Sequence, residues 1–245
     1  MTMKTLPEFC LDVLSKEISL ERVPGFEDIE KVQLASGEPG GGIKIYRGED
    51  IKVSLVDFRL GEGVTIPHHE NRLGVGCEVF QIAPDFNRKV PNWGINSIIM
   101  KDGTYYFDQD FSFGFDLVTD YDYTMKYLEP FTDTYKTFFK NPAFTEVPLI
   151  DLTTWVRTHV SPTFFAALAT TDTVQAVYDL AAEYIKLWIS IFKAEEKRDE
   201  AFKEAQMKRI QAQYAGMQKS DRMGKILVQA YGPETFAKFF KALAA

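Results

Sequence analysis

Residues 93–101 are apolar on both parities: Ile95 and Ile99 alternate with Ile98 and Met100, behind Trp93. Successive side chains of a strand point to opposite faces, so a strand of this kind has no wet side. A sheet built from such strands needs a layer of helices on each face. Companion strands are expected at Ile43 and Ile45 and over residues 51–60, 76–83 and 104–111. Asp102-Gly103 is a hairpin signal between 93–101 and 104–111.

Helices to cover the sheet are available. Residues 6–18 place Phe9, Leu11, Val13, Leu14 and Ile18 near helical spacing. A second helix is expected over 123–140, stopped by Asn141-Pro142, and a third over 173–195, where Val174, Val177, Ala181, Tyr184, Trp188 and Ile191 recur. Residues 193–208 read as a solvated helix or loop edge, and 233–243 as a closing helix. Glu38-Pro39-Gly40-Gly41-Gly42 reads as a flexible loop. No repeat or long linker divides the 245 residues, so the expectation is one domain over 1–245, an α/β/α sandwich with a central, largely antiparallel sheet.

Net charge is −7, which argues against nucleic acid as the main partner, because phosphate binding needs concentrated Lys and Arg. Cys10 and Cys77 have no metal-ligand spacing and read as free thiols. No run approaches eighteen apolar residues, and the first residues lack the apolar core of a signal peptide, so a cytoplasmic protein is expected. Twenty Phe and eleven Tyr suit a core of large rings, and equally a pocket for a flat conjugated ligand.

The chain has no self-contained catalytic motif. Gly40-Gly41-Gly42 lacks the Lys-Ser/Thr of a phosphate loop, and no GxGxxG joins a strand to a helix, so a reductase of this sequence must take its electrons from elsewhere. His68-His69-Glu70 are adjacent on an extended segment and point apart, so no metal site is expected. Ser161 follows His159 but has no nucleophile elbow. Asp57 shares parity with Ile51, Val53 and Leu55. It is either a buried carboxylate with a raised pKa or a strand-end group paired with Arg59 or Arg72. Asp221 stands before a short amphipathic run ending in Tyr231-Gly232, where it serves as a helix cap or as a site acid.

Several segments, in order over roughly 43–245, resemble the ferredoxin-dependent bilin reductases. Asp221 and Gly232 keep that family's spacing between a pocket aspartate and a Phe-Gly or Tyr-Gly pair. Pro91, Trp93 and Gly94 fit its Leu-Pro-x-Phe-Gly-x-Asp segment, with Asn96 where the family's central catalytic aspartate falls and Val79 where its histidine falls. Placing Phe113-Gly114-Phe115-Asp116 on that motif restores an aspartate but loses the paired strands that should follow. Residues 154–165, with Ser161 and Phe165, look like the family's Ser-containing strand beside a propionate.

The resemblance implies ferredoxin-dependent reduction of biliverdin or a related bilin, with no bound cofactor and electrons from reduced ferredoxin. Asp221, Asn96 and Asp57 are then the candidate catalytic residues, and Arg222, Ser161, Val79 and Phe165 the candidate substrate contacts. An amide cannot release a proton as a carboxylic acid does, so Asn96 leaves a second reading open: a bilin-binding protein with little or no turnover. The expected partners are the bilin and ferredoxin, without nucleic acid or membrane, and the chain is expected to act as a monomer.

Overall fold

The computed structural model describes residues 4–61, 65–66, 69–112, 114–147, 154–220 and 222–244. Helix α1 (Leu6–Ser15) opens on a capping box: Thr5 Oγ1 accepts from Glu8 N–H, and the Glu8 carboxylate accepts from Thr5 N–H. Short strands β1 (Glu21–Arg22) and β2 (Val32–Gln33) precede β3 (Pro39–Gly48) and β4 (Ile51–Arg59). Then come β5 (Thr65–Ile66), β6 (His69–Pro84), β7 (Asn92–Met100) and β8 (Tyr105–Ser112). Helices α2 (Tyr121–Tyr127) and α3 (Thr132–Phe139) lead to β9 (Thr145–Glu146), α4 (Thr154–Arg157) and β10 (Phe165–Ala169). The C-terminal third is helical: α5 (Gln175–Ala194), α6 (Glu200–Ser220), α7 (Arg222–Tyr231) and α8 (Pro233–Ala244).

The strands form one sheet in the order β1-β3-β4-β6-β7-β8-β10-β9, with β2 beside β3 and β5 beside β6. Every pairing is antiparallel. The two parities of the central strands feed two separate cores. Ile51, Val53, Leu55, Phe80, Ile82, Trp93, Ile95, Phe107 and Phe111 pack under α1, α2 and α5, around Cys10, Leu14, Tyr184 and Trp188. Ile43, Ile45, Val56, Phe58, Cys77, Ile98 and Met100 pack with Tyr231 of α7 and with Phe239 and Ala242 of α8. The sheet covered by helices on both faces is therefore present, and the doubly apolar β7 lies near its middle.

Three sequence expectations are corrected. The glycine run is not a loop but the start of β3. A Cβ on Gly41, whose φ is +88°, would sit 1.9 Å from the Asp57 carbonyl oxygen, and one on Gly42 would sit 2.2 Å from that of Glu30. These glycines allow main chain to approach main chain. Residues 123–140 are not one helix: Pro130 has no N–H to donate and crowds the preceding turn, so a 3-10 turn, Glu129–Phe131, separates α2 from α3. Residues 154–165 are not a strand either. Thr154–Arg157 is helical and β10 begins at Phe165, because Pro162 cannot donate to a ladder and the Ser161 N–H is bonded to the Asp110 side chain.

Tyr231 ties the C-terminal helices to the sheet. Its hydroxyl accepts from Arg59 N–H at 3.0 Å and lies within donating reach of the Gly40 and Arg59 carbonyl oxygens. Its ring packs on Phe58 and Phe239, with centroids 5.2 and 5.3 Å away. Tyr231→Phe keeps the ring contacts but leaves these backbone groups short of a partner. It is expected to cost about 1–3 kcal/mol, read as a lower urea midpoint at unchanged m-value. A change below about 0.5 kcal/mol would show that this anchor contributes nothing net.

Candidate functional site

On the face turned toward α7 and α8, the antiparallel register aligns side chains across strands. Val56, Val79, Asn96, Asp108 and Ala166 form one row through β4, β6, β7, β8 and β10. Ser54, Gln81, Gly94 and Asp110 form the next row. Tyr106 lies beside Asp108 on the other side, opposite Ile98 and Leu168.

Accessible surface is distributed unevenly over this face. Val56, Phe58 and Ile98 are buried beneath the C-terminal helices. Val79, Gln81, Gly94, Asn96, Tyr106, Asp108, Asp110 and Leu168, on more central strands, all keep part of their surface. Behind them on the opposite face, Phe80, Ile82, Trp93, Ile95, Phe107 and Phe111 have none. Above, Ile226, Leu227 and Ala230 of α7 join the same apolar cluster as Val79 and Tyr106 and are themselves only half-buried. Floor and roof thus leave this part of the face partly accessible, a candidate cleft instead of a closed core.

The polar groups of the cleft are linked. Asn96 Nδ2 donates to Asp108 Oδ1 at 2.7 Å, and the Tyr106 hydroxyl also bonds to the Asp108 carboxyl. Asp110 Oδ1 accepts from Phe111 N–H at 2.7 Å and from Ser161 N–H at 3.0 Å, and the Ser161 hydroxyl bonds to the same carboxyl. Burial pushes Asp110 up to about 7, against the Ser161 and Phe111 donors, and the neighbouring Asp108 charge adds to the rise. Burial likewise raises Asp108 above its ordinary range, although Asn96 and Tyr106 pull the other way. Burial thus gives the cleft an acid, Asp110, whose pKa lies near neutrality.

The structure brings together some of the residues singled out by sequence and separates others. Val79 and Asn96 are direct cross-strand partners on the cleft floor. Ser161, itself buried, reaches the same face through Asp110. Asp57 does not: it shares parity with Ile51, Val53 and Leu55, but that parity lies under α1. There it pairs with Glu78, whose carboxylate accepts from Leu6 N–H and the Ser97 hydroxyl. Phe165 is also on that opposite face, buried against Phe107 and Phe144 at centroid distances of 5.7 and 5.8 Å. Arg222 opens α7, and Asp221 lies outside the described residues.

Asp108 and Asp110 were not singled out by sequence reasoning. A signal was present: Tyr106, Asp108, Asp110 and Ser112 share one parity, against Phe107, Gln109 and Phe111 on the other. That pattern ordinarily marks a wet face. In a sheet covered on both sides it marks acids in the interior.

Asp110 generates a prediction of definite sign. Its folded-state pKa lies above the unfolded value, so between about pH 4 and 7 the folded chain holds a proton that the unfolded chain has lost. Its contribution to stability is therefore full at low pH and falls as pH rises through that window, by up to about 4 kcal/mol at 1.36 kcal/mol per unit. Asp110→Asn keeps an oxygen for the Ser161 and Phe111 N–H groups and cannot ionise. It should flatten this part of the stability–pH curve and leave the variant the more stable chain near pH 8. An unchanged slope in urea melts between pH 4 and 7 would contradict the assignment.

No family model matches the chain, and no curated protein matches its sequence. Among solved structures it resembles phytochromobilin synthase from tomato, crystallised in complex with biliverdin, with a TM-score of 0.79 at 14% identity. The match covers 99% of this chain and 83% of the synthase. The protein has the bilin reductase fold, a mixed α/β sandwich about one large antiparallel sheet.

Proposed function

We propose that this protein binds biliverdin or a related open-chain tetrapyrrole in the cleft over β6, β7, β8 and β10, and reduces it by sequential one-electron and proton transfers. The observation that carries the reading is accessible surface in the middle of a covered sheet, floored by carboxyls with raised pKa values. The likeness to a synthase holding biliverdin supports it. A flat conjugated ligand suits a slot between a sheet floor and an apolar helix roof. Each electron added to such a pigment creates charge that an acid with a pKa near the working pH can neutralise. Electrons come singly from reduced ferredoxin, in keeping with the missing dinucleotide fingerprint, and no bound flavin, haem or metal enters the scheme. On sequence grounds, Asp221 supplies protons, and Arg222 holds a propionate through charge-assisted hydrogen bonds.

A second reading has its own support in Asn96. The amide donates to Asp108 and has no acidic proton to give, as expected of a carrier or sensor that holds the pigment without turning it over.

Biliverdin mixed with the pure protein should co-elute on gel filtration at one per chain with an altered long-wavelength band. Pigment that elutes apart with its free spectrum removes both readings. Turnover is expected with NADPH, ferredoxin and its reductase together, and not with NADPH alone. It should weaken with added salt, because a chain of net charge −7 meets an acidic ferredoxin through a local Lys/Arg patch. Tight binding without turnover selects the carrier. Asp221→Asn should keep the pigment and slow reduction about 10²–10⁴-fold if Asp221 is a general acid. It should be nearly silent if the residue is only a cap, since Asn caps about as well as Asp.

A further inference from the structure

We propose that Asp108 is a proton donor to the bound pigment, the acid of this site having its place on β8, one strand over from Asn96. The inference rests on the bilin-reductase reading above and assigns the proton chemistry within it. Asn96 and Asp108 face each other across β7 and β8 in direct register and share a 2.7 Å hydrogen bond. The amide is the donor in that bond, so any transferable proton of the pair belongs to the carboxyl.

Asp108 is better placed for transfer than Asp110. The Asp110 carboxyl is held at the cleft's end by three donors, the Phe111 N–H and the N–H and hydroxyl of Ser161. Among the described residues, Asp108 carries the Asn96 amide and the Tyr106 hydroxyl. Its row continues into Val79 on one side and Ala166 on the other, so no charged side chain stands beside it in that row. It retains surface on the face turned toward α7, and burial raises its pKa above the ordinary carboxylate range.

The step balances as follows. Reduced ferredoxin gives one electron to the pigment. Asp108 breaks its O–H bond and passes the proton to the resulting radical anion, leaving a neutral pigment radical and a carboxylate. A second electron and a second proton complete addition of two hydrogens across one double bond, and Asp108 is reprotonated from solvent. The buried carboxylate left after the first transfer is disfavoured by the same desolvation that raised its pKa, which favours prompt reprotonation.

The test is Asp108→Asn, assayed with biliverdin, reduced ferredoxin and the full chain. The expected result is pigment bound with Kd within about threefold of the parent, reduction slower by about 10²–10⁴-fold, and a one-electron-reduced pigment radical accumulating in single turnover. The double exchange Asn96→Asp with Asp108→Asn returns an acid across the same hydrogen-bonded pair and should recover at least about tenfold of the loss. Turnover of Asp108→Asn within about threefold of the parent overturns the inference. So does loss of pigment by that variant alone, which would make Asp108 part of the packing. A parent that binds no biliverdin, or binds it without turnover, instead overturns the reading of the site on which the inference stands.

Discussion

A sheet covered on both faces has no outer side on which to leave a polar group, and the rest of this structure follows from how each one is met. On the α1/α5 face the answer is closure. Gln109 accepts from Trp93 Nε1–H and donates to the Thr163 carbonyl and Tyr184 hydroxyl. Glu78 takes the Leu6 N–H at the first turn of α1 and the Ser97 hydroxyl. Around them, Trp93 stacks on Tyr184 and Trp188 on Phe192, with ring centroids 6.0 and 5.0 Å apart. Large side chains buried this completely contribute about 1.5–3 kcal/mol each, so this face sets the stability of the domain.

The other face divides its tasks by strand. Toward β3 and β4 it is closed by the Tyr231–Phe58–Phe239 cluster and by Gly40, where a Cβ would sit 2.5 Å from the Tyr231 ring. Toward β8 and β10 the floor keeps accessible surface, and Asp108 and Asp110 stand where a closed core would have required apolar side chains. A carboxyl in such a place is tolerated when its partners are donors or when it keeps its proton. Here the partners are donors, Asn96 and Tyr106 at Asp108 and Ser161 at Asp110, while burial raises both pKa values against them.

Much of the fold was legible because its signals are local. Apolar residues on both parities of 93–101, the Asp102-Gly103 turn and the repeat at Val177, Ala181, Tyr184 and Trp188 each need only a short window. What escaped depends on contacts distant in sequence. Gly41 and Gly42 resemble a loop until Glu30 and Asp57 are placed against them. Ser161 resembles a strand residue until its N–H is taken by Asp110. The site divides in the same way. Period two showed that Asp57 points with Ile51, Val53 and Leu55, and it does, but parity cannot say which helices lie above a face. Asn96 and Val79 were singled out by resemblance and became neighbours through register, whereas Asp108 and Asp110 were passed over because alternation resembles exposure.

The charge of the cleft links its two properties. Two of the carboxyls counted in the chain's net charge of −7 line this face, and they would repel an anionic ligand if both were ionised. Desolvation lessens that conflict by raising both pKa values, since protonating a carboxyl costs less than burying two like charges side by side. A ligand bearing carboxylates would raise those pKa values further as it entered, so binding and protonation would reinforce one another. The Asn96 amide fits this balance. A third carboxyl, at position 96, would either ionise against Asp108 or compete with it for a proton. An amide there supplies a donor to Asp108 and adds no charge.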